Sequence, residues 1–95
     1  MNDSSAIALG EYVGRKLKKA EETNEPQKRE NALYHASAAL KGAGGLIKKM
    51  PDELERSLIL RDINLGVNAE LASLLKQQKG KIRYLYESIL HRLDL

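Results

Sequence analysis

The chain has 95 residues, 42% apolar and 31% charged, with no Cys, Phe or Trp. That length holds one small domain, the composition is globular rather than disordered, and the missing cysteine excludes disulfides and thiolate metal sites. Sixteen Lys and Arg against thirteen Asp and Glu leave a net charge of +3, too mild an excess to indicate nucleic acid by itself.

The first helix is expected over about 5–22. Asp3, Ser4 or Ser5 can cap it, because their side-chain oxygens accept the free N–H groups of a first turn. Its apolar face is Ala6, Leu9, Val13, Leu17 and Ala20, and Glu11 with Arg15 and Lys18 with Glu22 stand at the i, i+4 spacing of surface pairs. The run Thr23-Asn24-Glu25-Pro26 ends it, since proline starts a helix well but cannot continue one. The opening segment carries Asp3 where a secretory leader carries bases. The least charged stretch, 31–40, is closed by Lys41 and is too short to span a bilayer. No membrane insertion and a cytoplasmic location are therefore expected.

A second helix is expected over about 26–48, with Ala32, Ala36, Ala39, Leu40, Ala43, Ile47 and Met50 on one side. Gly42, Gly44 and Gly45 weaken it, yet Leu46, Ile47 and Met50 keep the phase, so the spacing predicts continuation. Pro51-Asp52-Glu53 then places a proline and two acids at the start of a third helix, over about 51–78.

From Leu54 onward an apolar stripe never loses its helical phase. Leu60, Leu71, Ile82 and Leu93 recur every eleventh residue, beside Ile63, Leu74 and Leu85 and beside a third row of Val67 and Ile89 that only Gln78 breaks. Lys76-Gln77-Gln78-Lys79-Gly80 has the composition of a helix end, although the phase runs through it. The fourth helix, over about 81–94, is either joined to the third or set off by a kink at Gly80. One continuous helix of this repeat favours a slight right-handed supercoil with a partner. The whole chain, 1–95, is predicted to be one all-α domain, a small antiparallel bundle of three to four helices.

Residues with catalytic or metal chemistry are sparse. His35 and His91 give no nucleophile–base–orienter set, and Glu87 and His91 lack the paired Glu-x-x-His spacing of a carboxylate-bridged metal bundle. Neither an enzyme nor a cofactor is expected. The Gly42–Gly45 run lacks the order of a phosphate-binding loop and follows no strand. Leu40-Lys41-Gly42 resembles a segment of histidine phosphotransfer domains, but Ala38 stands where that family carries its phosphorylated histidine.

Two surfaces remain as candidates. Lys76, Lys79, Lys81 and Arg83 fall within eight residues without an acid, a cluster able to neutralise phosphates. No helix-turn-helix pattern or stacking platform beyond Tyr84 and Tyr86 supports it. The C-terminal segment is apolar on more than one side, since Tyr84 and Tyr86 cannot share a helical face. Its residues Ile82, Tyr86, Ile89 and Leu93 thus point to a contact with a partner helix or a second copy.

Lys18-Lys19-Ala20, the proline turn, Asn31-Ala32-Leu33-Tyr34 and Asn68-Ala69-Glu70-Leu71-Ala72-Ser73-Leu74-Leu75 together resemble the MIT (microtubule-interacting and trafficking) domain over roughly residues 6–78. The chain departs from that pattern at Asn68, where the family carries Arg, at Gly66, where a groove leucine is typical, and at the glycines of the second helix. The resemblance implies a three-helix bundle whose groove between helices 2 and 3 receives a short amphipathic helix from membrane-remodelling filament proteins. Ala69, Glu70 and Ser73 would line that groove opposite Ala36 and Ala43. The expected function is a non-enzymatic interaction module that binds a helical segment or self-associates. A small basic nucleic-acid-binding or assembly protein is the alternative.

Overall fold

The computed structural model describes residues 3–95, which form four helices: α1 (Asp3–Glu22), α2 (Pro26–Lys48), α3 (Glu53–Leu71) and α4 (Lys76–Arg92). They make an all-α bundle with longest dimension 42 Å. Ser4 and Ser5 already lie inside α1 and do not occupy its cap position, and the capping expected of Asp3 rests on a side chain outside the described residues.

The core draws on every helix. Val13 and Leu17 from α1, Ala36 and Leu40 from α2, Ile63 and Val67 from α3, and Ile82 and Tyr86 from α4 are all buried. Helices α1 and α3 run parallel in direct backbone contact. A methyl group on Gly10 would collide with the Ile63 carbonyl oxygen and lie 3.0 Å from the Gly66 Cα. One on Gly66 would collide with the Ile7 carbonyl oxygen and lie 2.7 Å from the Glu11 backbone nitrogen. One turn further on, the Glu70 side-chain stem lies over Gly14. Small residues at this spacing let two helices approach until their backbones touch. Glu70 also receives Lys18 at 3.2 Å and Arg15 at 3.5 Å. These cross-helix bonds replace the expected pairing of both bases within α1.

The α2 helix returns antiparallel to α1 and packs against it through small side chains, among them Ala32, Ala36 and Ala43. Pro26 holds its first helical position, and Arg29 Nε donates to the Ala20 carbonyl at 3.1 Å, serving a free acceptor at the end of α1. The helix runs unbroken through Gly42–Gly45. Asp52, not Pro51, starts α3: its side chain accepts from the Leu54 N–H at 2.9 Å.

The break between α3 and α4 falls at 72–75, not at Gly80, which lies inside α4. A continuous helix from Leu54 to Leu93 would be about 60 Å long at 1.5 Å per residue, well beyond the 42 Å bundle. Turning back lets Ile82, Tyr86 and Ile89 bury against the domain. The eleven-residue phase survives because Leu71 and Ile82 both reach the core, each from its own helix. Gln78 Oε1 accepts the Leu75 N–H at 3.3 Å and helps start α4. At the other end, Asp94 adopts a left-handed backbone with φ 61°, and the Leu95 N–H bonds back to the Leu90 carbonyl at 2.9 Å. The Asp94 N–H bonds to the His91 carbonyl at 3.1 Å. Together these form a Schellman cap that seats Leu95 on Gly44.

The stripe is not uniformly core. Leu54, Leu58 and Leu65 lie on the outer side of α3, Leu54 being 66% exposed. The buried side of that helix is instead Ile59, Ile63, Gly66, Val67 and Leu71.

Gly42 and Gly45 have open space where a methyl would stand. Gly42→Ala and Gly45→Ala are each expected to raise the unfolding free energy by about 0.5–1 kcal/mol. Urea unfolding followed by circular dichroism checks this; a loss of stability at either position would show that α2 is not a regular helix there.

Candidate functional site

An apolar concavity lies between α2 and α4. These helices run in the same direction, as the contacts of Gly44 with Leu95 and of Lys48 Nζ with the Leu93 carbonyl, at 2.6 Å, show. On α2 the i, i+3 and i+4 spacing puts Glu30, Leu33, Tyr34 and Ser37 on one wall. On α4, Leu85, Ser88, Ile89 and Arg92 form the other. The open groove has a volume of about 340 Å³. Glu30 stands at the amino-terminal end of the groove and Arg92 at the carboxy-terminal end. Tyr34 is 70% exposed and meets the His35 ring edge-on, with centroids 5.9 Å apart.

Most residues expected to contact a partner lie elsewhere. Ala36, Ala43, Ile82, Tyr86 and Ile89 belong to the domain's own core; of these only Ile89 reaches the groove, as part of its floor. Ala69 and Ser73 are exposed, Leu93 is half-buried, and Glu70 is held by Lys18 and Arg15. Helices α2 and α3 make little direct contact while α1 packs closely against both, so Ala36 and Ala43 do not face Ala69, Glu70 and Ser73 across a groove. The C-terminal apolar surplus is mostly absorbed too: Ile82, Tyr86 and Ile89 point inward, and Tyr84 is the large apolar side chain of α4 left exposed.

The basic cluster is divided. Arg83 donates to Asn68 Oδ1 at 2.8 Å and to Glu87 at 3.1 Å, and it stacks over the Tyr86 ring at 5.3 Å. Lys81 turns the other way, towards Glu21 on α1 at 3.9 Å. Lys76 is exposed and Lys79 half-buried. The four cations do not form one free face. Glu87 pairs with Arg83 rather than with His91.

Comparison of the chain with protein-family models, with curated proteins and with solved structures gives no match. Among the described residues no three His, Cys, Asp or Glu side chains are grouped to hold a metal ion, and no helix is long and apolar enough to cross a membrane.

Two buried polar groups had no signal in the sequence. Asp62 is 2% exposed; its Oδ1 accepts from the neighbouring Arg61 at 3.2 Å while its Oδ2 has no partner. The Tyr86 hydroxyl is likewise buried and unpaired. A tyrosine more often keeps its hydroxyl at water or on a bonding partner while its ring is buried. Burial pushes the Tyr86 phenol up to about 12, against a smaller lowering by Arg83.

Below pH 10 the phenol is neutral in both folded and unfolded chains, and this stabilising difference is fully present. Between pH 10 and 12 the unfolded chain ionises first, so the contribution, roughly 2–3 kcal/mol, is lost as pH rises. Tyr86→Phe is expected to match or slightly exceed the parent's stability at pH 8, having lost an unpaired buried hydroxyl. Its advantage is expected to widen by pH 11.5. Urea midpoints of both proteins at the two pH values check this; parallel loss with pH would mean that the hydroxyl is hydrated or bonded.

Proposed function

We propose that this protein is a non-enzymatic interaction module that pairs with a second copy of itself through the groove between α2 and α4. The observation that carries the reading is the self-complementary character of that groove. Its walls are Leu33, Tyr34, Leu85 and Ile89, and its two ends carry opposite charges, Glu30 and Arg92. Because α2 and α4 run in the same direction, a two-fold axis across the middle of the groove sets Glu30 against Arg92 of the partner subunit. The same operation sets the exposed Tyr34 ring over the partner's groove. A patch that is complementary to itself under a two-fold rotation is the requirement for an isologous dimer. Exposed tyrosine supplies large contact area at low entropic cost. One groove per subunit is small beside the 1,200–2,000 Å² typical of stable interfaces, so the pair is weak and concentration-dependent.

Sedimentation equilibrium over a wide concentration range tests this. The mass is expected to rise from the 10.6 kDa of one chain towards twice that value. Tyr34→Ser and Glu30→Arg are each expected to suppress the rise, and Glu30→Arg combined with Arg92→Glu is expected to restore it. A constant single-chain mass, or a rise that Tyr34→Ser leaves unchanged, contradicts the reading.

A further inference from the structure

On the other side of α2, the seam with α1 holds a second concavity of different chemistry. It encloses about 150 Å³ and is lined by Lys16 and Lys19 from α1, by Lys28, Asn31 and His35 from α2, and by Ala32. The buried Ala32 is too short to fill the hollow. Among the described residues no carboxylate lines it. Three lysines therefore border one small space with no carboxylate among the lining groups, and like charges so placed repel one another.

The partners these cations do have are weak. Lys28 meets Glu25 at 3.3 Å, both side chains more than half exposed, and exposed pairs of this kind contribute little. Lys28 also lies in the first turn of α2, a turn that carries no acid, and Glu25 at the cap position makes no side-chain bond to the helix end. A lysine at the positive end of a helix dipole adds to the local excess. Lys16 rests over the Tyr12 ring at 5.5 Å, a contact that leaves its N–H donors available. Asn31 Oδ1 is occupied by Gln27 Nε2 at 3.1 Å, so the amide protons are what Asn31 offers a ligand. The lining is thus one of hydrogen-bond donors and positive charge around a space large enough to admit a phosphate.

We propose that the α1–α2 seam binds a phosphate-type oxyanion, with Lys16, Lys19 and Lys28 neutralising its charge and Asn31 donating to one oxygen. The lysines come from two helices held together by the bundle, so the site exists only in the folded domain. It lies on the opposite face of α2 from the groove proposed for pairing.

The test is an amide-resolved NMR titration of the whole chain with inorganic phosphate, and separately with O-phosphoserine, against sodium chloride at equal ionic strength. Saturable shifts are expected at and around Lys16, Lys19, Lys28, Asn31 and His35. Binding of either probe supports the site, and the tighter one tells a free phosphate from a phosphorylated side chain. Lys19→Ala and Lys28→Ala, both surface changes that leave the core intact, are each expected to weaken binding about tenfold, the loss typical of one charge-assisted hydrogen bond. Lys49→Ala, outside the cleft, is expected to change nothing. Shifts no larger than those in chloride, shifts spread equally over Lys41, Lys48 and Lys49, or equal binding by all three variants would overturn the proposal.

Discussion

Where α1 crosses α3 the two backbones touch with no side chain between them, at Gly10 and Gly66. Ordinary helix pairs stand 8–10 Å apart because side chains fill the space. Here the absence of two Cβ atoms removes that spacer and puts carbonyl oxygens against Cα atoms of the facing helix. Contacts of that kind are individually weak but close-packed, and they are available only at this distance. With α1 pressed against α3, Glu70 comes within reach of Lys18 and Arg15, and Ile63 and Val67 meet the core.

The rest of the molecule follows from that crossing. On its remaining side α1 accepts α2 through an alanine-rich face, which again permits close approach, and α4 then covers the core by turning back at 72–75. Domains of this size bury a modest fraction of their surface. A chain without Phe or Trp compensates by packing small residues closely, with one fully buried aromatic, Tyr86, at the centre. The same geometry leaves an apolar hollow on the α4 side of α2 and a basic one on its α1 side. These differ in chemistry because α2 turns Leu33 and Tyr34 one way and Lys28 and Asn31 the other.

Much of the architecture was legible in the residues. Pro26 marked the start of α2, and the persistence of Leu46 and Ile47 beyond the glycines carried that helix to Lys48. The 3–4 spacing announced helices throughout the second half. The turn at 72–75 was not legible, because Ala72, Ser73, Leu74 and Leu75 include neither Gly nor Pro. What breaks the helix is the burial gained by folding α4 back, a tertiary effect that overrides local preference. Gly80 looked like the stop and is helical. The Gly10–Gly66 contact was equally hidden: a glycine on one helix says nothing of its partner until the partner's register is known. For the same reason Ile82 and Tyr86 looked like surplus apolar surface when they are core, and the cleft of Lys16, Lys19 and Lys28 spans two helices and has no signature in either.

The most direct measurement is the stability of Gly66→Ala, from urea unfolding followed by circular dichroism. Helix propensity alone favours alanine over glycine by about 1 kcal/mol. The added methyl, however, would lie 2.7 Å from the Glu11 backbone nitrogen and 2.9 Å from the Gly10 carbonyl carbon, with no flexible side chain to yield. A loss of about 3 kcal/mol or more, or failure to fold, is the expected result. A variant as stable as the parent, or more so, would contradict a bundle built on the close crossing of α1 and α3.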